Sequence, residues 1–394
     1  MDAHENMSQQ RERTENYQLF QSLDQWFTAH GLSYQVHWTV REVVFHSVLE
    51  GSEPQALKIL KDTVPVPRTS FYVENIDGRR HLTVRLPLAE PPRHRYGLHL
   101  ALFVITFLTT VSCGAIYIGH PGVILHYGIS GISSQMAGQP NSDWYTFLYL
   151  LSNGLCFSIP FLLILTCHEF GHFFASRKYG LSVTLPFYIP APIGIGTFGA
   201  MIALRSPMVH RRCVFDVGAA GPLAGFVVAL PVFWYGLTIS PIDQFANHPG
   251  ATYIEEGKSL LYLGMLWLTK GPLPSTHFVN LHHIAWAGWF GLFITALNLV
   301  PIGQLDGGHI SYAMFGRGHE RIAKLFFAML VLMIPFWHSY ILFVLLLFFL
   351  IRLKHPPAVE ELIELDPVRY WLGWLCFLIF FLTFVPIPLE FVTG

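Results

Sequence analysis

The chain has 394 residues, 52% of them hydrophobic and 15% aromatic, with only 12% charged, too few charges to coat soluble domains of this total size. That balance excludes an ordinary soluble globular protein and indicates a membrane protein. The net charge of −1, with no extended basic run, offers nothing to nucleic acid or to an acidic partner.

Residues 1–92 read as a small soluble α+β domain. Leu19, Phe20, Leu23, Trp26 and Phe27 make one apolar helical stripe, and Val36 to Val48 is β-branched and strand-like. A helix over Pro54 to Thr63 and a hairpin over Phe71 to Leu86 follow, turning at Asn75-Ile76-Asp77-Gly78, where Asp-Gly suits a tight turn. Glu90-Pro91-Pro92-Arg93 is a linker. No hydrophobic segment precedes about residue 98, so no cleavable signal peptide is expected, and Asp2, Glu5, Glu12 and Glu15 argue against a transit peptide.

Residues 93–394 carry apolar stretches at 98–119, 144–167, 214–238, 283–302, 322–337, 338–351 and 370–391, and a spanning helix needs ~20 such residues. The fifth and sixth are short and meet at Pro335 and His338, as a tight hairpin or one kinked helix. The expected fold class is therefore a polytopic α-helical membrane protein of about six to seven spans with a small N-terminal soluble α+β domain. Ser259 to Leu268 is a weaker stretch suited to the interface. Of 24 Lys and Arg, only Lys258 and Lys270 fall in loops that this layout turns outward, so the positive-inside rule puts the N-terminus inside and, with seven spans, the C-terminus outside. The five cysteines, Cys113, Cys156, Cys167, Cys213 and Cys376, lie in or beside apolar stretches without a CxxC pair and read as reduced packing residues. Cys167 precedes His168 directly, but a neighbour one residue away on a helix points about 100° elsewhere.

His168-Glu169-Phe170-Gly171-His172 closes the second stretch. Histidines at i and i+4 share a helical face and can bind one Zn²⁺, with the intervening Glu169 as general base toward water. Asn298-Leu299-Val300-Pro301-Ile302-Gly303-Gln304-Leu305-Asp306-Gly307-Gly308-His309 closes the fourth stretch and brings an aspartate to the same depth. An ionisable residue at membrane depth is costly and marks function, and two histidines plus a carboxylate leave the fourth zinc position open, as in a catalytic site. Pro301 and the glycines imply unwound backbone at Asp306.

HExxH in a membrane helix, Asn-x-x-Pro followed by Leu-Asp-Gly-Gly-His, and Phe215-Asp216-Val217-Gly218-Ala219-Ala220-Gly221-Pro222-Leu223-Ala224-Gly225 together resemble the site-2 protease family of intramembrane metalloproteases, over about residues 144–310. The resemblance implies one zinc per chain held by His168, His172 and Asp306, Glu169 as base, and Asn298 holding the substrate carbonyl or its oxyanion. It implies hydrolysis of peptide bonds in membrane-anchored proteins. The basic-rich linker Arg205 to Arg212, the Gly-Thr-Phe-Gly stretch and the N-terminal domain are most similar to the chloroplast proteases of the ethylene-dependent gravitropism-deficient type and their bacterial relatives. The absence of a transit peptide points to a bacterial cytoplasmic membrane, with the N-terminus and active site toward the cytoplasm. No PDZ-like insert separates the catalytic stretches.

Other residues read more plainly. Leu185 to Leu204, rich in Pro and Gly before the strand-like Phe198 to Leu204, is either an interfacial connector or, as the resemblance suggests, a re-entrant loop and a strand whose free edge takes up an extended substrate. Gly218, Gly221 and Gly225 recur at helical spacing and read as close helix packing. Asp216 caps the start of its helix or pairs with Arg211 or Arg212. His309 orients the Asp306 loop or bonds to backbone, and His120, His126, His277, His282 and His283 lie on the outer side. Two rivals stand against the protease: an HExxH enzyme using Glu320, Glu360, Glu361 or Glu364 as third ligand, and a metal-binding membrane transporter or inert scaffold.

Overall fold

The computed structural model describes residues 23–28, 32–38, 42–49, 70–76, 79–87, 96–115, 142–204, 208, 211–244, 252–274, 276–336, 341, 344–345 and 365–393. The chain divides into two compact units, Met1–Arg93 and His94–Gly394.

In the first unit, strands β1 (Tyr34–Trp38), β2 (Glu42–Leu49), β3 (Ser70–Ile76) and β4 (Arg79–Pro87) form an antiparallel sheet of order β1-β2-β4-β3. Residues 23–28 are helical and bury Leu23, Trp26 and Phe27 together with Phe45, Leu82 and Val84. Phe27 stacks on Phe45 at 5.6 Å. The strand-like run from Val36 to Val48 is thus two paired strands rather than one. Asn75 and Ile76, expected in the turn, lie in β3, with Ile76 paired to Arg79, and Asp77 and Gly78 lie outside the described residues. Leu19, Phe20, the expected helix over 54–63 and the linker at 90–93 lie outside the described residues.

In the second unit, α1 (Tyr96–Cys113), α2 (Ser142–Lys178) and α3 (Arg211–Ile239) contain the three helices that, among the described residues, are long and apolar enough to cross a membrane by length and composition. The 37 residues of α2 extend about 55 Å, well past a hydrocarbon core of about 30 Å. The second stretch was expected to stop near 167. Instead the helix runs unbroken to Lys178, and HExxH lies within it. The other expected spans are shorter. α5 (His283–Asn298), α7 (His319–Met333) and α8 (Pro367–Thr383) have 16, 15 and 17 residues, each below the ~20 of a full span. The last one does not reach 391: Pro386 and Pro388 disfavour helix at the residues before them, and Leu389–Thr393 is strand β10. Almost all of 338–351 lies outside the described residues. The weak stretch at 259–268 is helix α4 (Leu260–Lys270), capped by Ser259, whose side chain accepts from the Tyr262 amide.

Glycines set the closest crossing. A Cβ on Gly236 would lie 2.3 Å from the Ala285 nitrogen, and one on Gly288 would lie 2.6 Å from the Phe233 Cα, so α3 and α5 meet backbone to backbone. Strands β5 (Phe187–Pro190) and β6 (Thr197–Met201) form a hairpin flanked by α1 and α2. His99 bonds the Pro186 carbonyl (3.1 Å), the Thr109 hydroxyl donates to the Gly196 carbonyl (2.7 Å), and the Tyr188 and Thr166 hydroxyls are 2.7 Å apart. All five cysteines are free thiols, as expected.

Strands β7 (Ile242–Gln244) and β9 (His277–Val279) pair antiparallel, as do β8 (Thr252–Glu256) and β10, with Glu256 opposite Leu389. Glu256 is buried, accepts a hydrogen bond from the Tyr262 hydroxyl (2.6 Å), and is followed by Gly257, whose amide donates to the Pro388 carbonyl (2.7 Å). Burial pushes the Glu256 carboxyl up to about 7, against the pull of the Tyr262 hydrogen bond. The folded state therefore favours the neutral acid, and the stability this confers is full below the ordinary carboxyl value near 4.5 and is lost as pH rises through about 7. Thermal unfolding should show about 2 kcal/mol less stability at pH 8 than at pH 5 from this group, and Glu256→Gln should flatten that dependence. An unchanged pH profile in Glu256→Gln would refute the assignment.

Candidate metal centre

Three side chains from two helices converge. His168 and His172 stand one turn apart on α2, and their Nε2 atoms approach to 3.1 Å. Asp306 Oδ2 lies 3.2 Å from the first and Oδ1 lies 3.3 Å from the second. These donor atoms lie within 4.8 Å of one another, the one such His/Cys/Asp/Glu group among the described residues. His172 Nδ1 lies 2.7 Å from the Val217 carbonyl, which can only accept, so Nδ1 carries the proton. In the neutral ring, Nε2 is then left with a lone pair. A lone pair facing the second imidazole and a carboxylate at hydrogen-bond distance is repulsive by itself, and a shared cation turns it attractive. Two imidazoles and a carboxylate are the donors of a catalytic zinc site with one position open, so the residues present fit zinc.

The face of α3 that meets α2 explains how both rings fit. A Cβ on Gly221 would lie 2.0 Å from His172 Nε2, and one on Gly225 would lie 3.1 Å from His168 Nδ1. Gly171, inside HExxH, lies equally close to the Ala220 carbonyl, at 2.4 Å from its added Cβ. The glycines of α3 do pack helices, as their spacing predicts, but the surface packed against Gly221 and Gly225 is the pair of imidazoles itself.

Asp306 reaches the site by a fold-back. α5 ends at Asn298, residues 299–305 turn, with Gly303 at φ 54°, and Asp306 opens helix α6 (Asp306–Phe315). The unwound backbone expected at Asp306 therefore lies just before it. A Cβ on Gly307 would lie 1.9 Å from the Leu299 carbonyl oxygen, and one on Gly308 would lie 2.3 Å from that of Gly303. Only the Gly-Gly pair lets the start of α6 pass this close to the end of α5. Asn298 Nδ2 comes within 3.2 Å of His168 Nε2. Glu169 is buried, with the Ile202 backbone just past β6 close to its carboxylate, so the end of β6 approaches the acid between the two histidines.

Several sequence expectations take other partners. Asp216 is the sixth residue of α3, not its cap, and pairs with neither Arg211 nor Arg212 as expected but with Arg369 of α8, at 2.7 Å to each oxygen. Tyr179, just past α2, donates to the same carboxylate (2.6 Å). A neighbour more than 150 residues away along the chain cannot be read from local sequence. His309 is half-buried one turn after Asp306, its Cβ against Gly218. On the other face, His282 caps α5, accepting from the Ile284 amide (3.2 Å), and its ring lies 83° from that of His283, so the two share no ligand point. Glu320 pairs with Lys324 on α7 (3.0 Å). His120, His126, Glu360, Glu361 and Glu364 lie outside the described residues. The Val217 carbonyl and Ile202 backbone were not anticipated, and nothing in residue type marks a backbone group. The glycine seat was detectable: Gly221 and Gly225 have the same i, i+4 spacing as His168 and His172.

Gly221→Ala should displace the His172 ring and weaken zinc retention at least tenfold while the protein stays folded, and Gly225→Ala, with more room, should cost less. Metal content after dialysis against a graded chelator checks this. Wild-type retention in Gly221→Ala would disprove the seat.

Residues 156–342 match peptidase family M50. The probable zinc metalloprotease EGY2, chloroplastic, of Arabidopsis thaliana is 33% identical over 246 residues, covering 62% of this chain and 44% of that protein. Probable zinc metalloprotease EGY1, chloroplastic, of Oryza sativa subsp. japonica is 30% identical over 233 residues, 57% of this chain and 38% of that protein. The chain thus spans less than half the length of these curated relatives. No solved structure matches. His168, His172, Asp306 and Asn298 all fall inside residues 156–342, the region that matches peptidase family M50 and is similar to these probable zinc metalloproteases.

Proposed function

We propose that this chain is an intramembrane zinc metalloprotease that hydrolyses peptide bonds of membrane-anchored proteins within or beside the bilayer. The observation that carries the reading is the convergence of His168, His172 and Asp306 on one point, with Glu169 buried on the same helix turn. The relatives named as probable zinc metalloproteases support it. Zinc, when bound, polarises a carbonyl and lets water lose a proton near neutral pH.

His168, His172 and Asp306 hold the metal, and the Val217 carbonyl fixes the His172 tautomer. Glu169 takes a proton from the attacking water and returns it to the leaving amine. The Asn298 amide donates to the substrate carbonyl oxygen as negative charge develops on it, a role supported by its position 3.2 Å from His168 Nε2.

Helical peptide bonds are shielded from attack, so the substrate must be drawn into an extended form. β6 offers a template. Among the described residues it pairs with β5 alone, and a free strand edge at membrane depth leaves backbone groups unsatisfied until another strand covers them. The Thr197 hydroxyl accepts from the Gly199 amide (3.0 Å) and donates to the Ile189 carbonyl (2.7 Å), occupying the first part of the strand. A substrate strand laid along Ala200 to Ile202 would run toward Glu169.

The charge distribution supports a polytopic chain whose catalytic depth faces the side of the N-terminal unit, the cytoplasmic side in a bacterial membrane. It also supports a soluble α+β domain over 1–92 ahead of the membrane domain.

Purified wild type should carry one zinc per chain and cleave single-span membrane proteins in vesicles. Glu169→Gln should keep zinc and lose cleavage by about 10²–10⁴-fold, and Asp306→Ala should lose zinc. Cleavage surviving in Glu169→Gln would overturn the mechanism, and metal flux without proteolysis would favour a transporter.

A further inference from the structure

Arg211 is the first residue of α3, at the end of the basic run before it. Its guanidinium reaches across to the far end of α6. Nε donates to the Ala313 carbonyl (2.9 Å) and Nη2 to the Met314 carbonyl (3.1 Å). The Tyr370 hydroxyl of α8 donates to the same Met314 oxygen (3.3 Å). The last carbonyls of a helix have no partner within it, and a cation there also complements the negative end of the helix dipole.

The helix held this way is the one that opens with Asp306. It has ten residues and its N-terminal flank, Leu305, makes no side-chain cap. A helix that short does not hold itself together in isolation. Its position along its own axis is set by what grips its ends. One end packs through Gly307 and Gly308 against the α5 turn, and the other is gripped by Arg211. Meanwhile α3 seats His172 on Gly221 and His168 on Gly225, and orients His172 through the Val217 carbonyl. One helix thus touches two ligands directly and the helix of the third through a guanidinium fork.

We propose that Arg211 is a positioning residue for Asp306, fixing the reach of its carboxylate toward the two imidazoles from the opposite end of α6, roughly 12 Å away along the helix. The inference rests on the zinc reading above. The fork is what matters, because a guanidinium spans two adjacent carbonyls in one rigid plane, whereas an ammonium is a point charge on a flexible stem.

The test uses the full chain in detergent, with zinc affinity measured by competition against a chelating dye and the visible spectrum recorded after loading with Co²⁺. Arg211→Ala should bind zinc about tenfold more weakly, the loss typical of removing a group that orients a ligand, and should change the intensity of the Co²⁺ ligand-field bands. Arg211→Lys should fall between Ala and wild type. A merely structural role would lower the melting temperature and leave affinity and spectrum at wild-type values, and that result overturns the proposal. Should Arg211→Ala not fold, Arg211→Lys decides: several-fold weaker zinc binding supports the proposal and wild-type binding overturns it. If Asp306→Ala binds zinc like wild type, the zinc reading itself fails and the proposal falls with it. Loss of zinc in Asp306→Ala beside unchanged binding in Arg211→Ala defeats the proposal alone.

Discussion

Two imidazole nitrogens and a carboxylate face one another across about 3 Å, on helices that the chain separates by more than 130 residues. Left to themselves, acceptors at that distance push apart, and polar groups at membrane depth are expensive to bury. Much of the architecture around them supplies the force that keeps them together. α2 has to be one long uninterrupted helix for the two histidines to share a face. α3 has to be almost without side chains where it passes them. α6 has to start within van der Waals reach of the end of α5. The last two requirements appear as small residues at fixed places: Gly171, Gly221 and Gly225 where α3 crosses α2, and Gly307-Gly308 where α6 meets the end of α5.

The charged residues outside the ligand set are arranged around the same problem. Arg369 joins α8 to α3 through Asp216, and Tyr179 ties the end of α2 to that carboxylate. Arg211 joins α3 to the end of α6. These groups lie at helix ends, where a guanidinium can keep part of its hydration, and the apolar middles of the helices pack through aromatic rings and glycines. Polarity at the ends and close packing in the middle let a membrane unit with few charges specify one arrangement. The hairpin β5–β6 departs from the helical pattern and, among the described residues, pairs only within itself.

What the sequence disclosed follows from the range of each interaction. HExxH is local: its chemistry and face follow from a spacing of four, and the structure places both imidazoles on one side of α2. The hairpin flanking Asp77-Gly78 is local too, with Ile76 paired to Arg79. Asp306 was legible because an aspartate between glycines at the end of an apolar stretch has no bland explanation. The helix ends were less legible. The second apolar run suggested a span ending near 167, yet nothing after His168 breaks a helix until Gly180, and α2 continues. The last run suggested a span to 391, but the two prolines after Val385 redirect the chain into β10. Pairings across long loops, such as Asp216 with Arg369 or Arg211 with the Met314 carbonyl, depend on tertiary placement. Neither composition nor periodicity contains them.

X-ray absorption at the zinc edge of the purified full chain tests the central claim most directly. The expected spectrum has a first shell of two imidazole nitrogens at ~2.0–2.1 Å with carboxylate and solvent oxygens at ~2.0–2.2 Å, the multiple-scattering signature of two rings, and loses that signal on His172→Ala. A sulfur shell at ~2.3 Å, which would point to Cys167, or one imidazole or none, would contradict it.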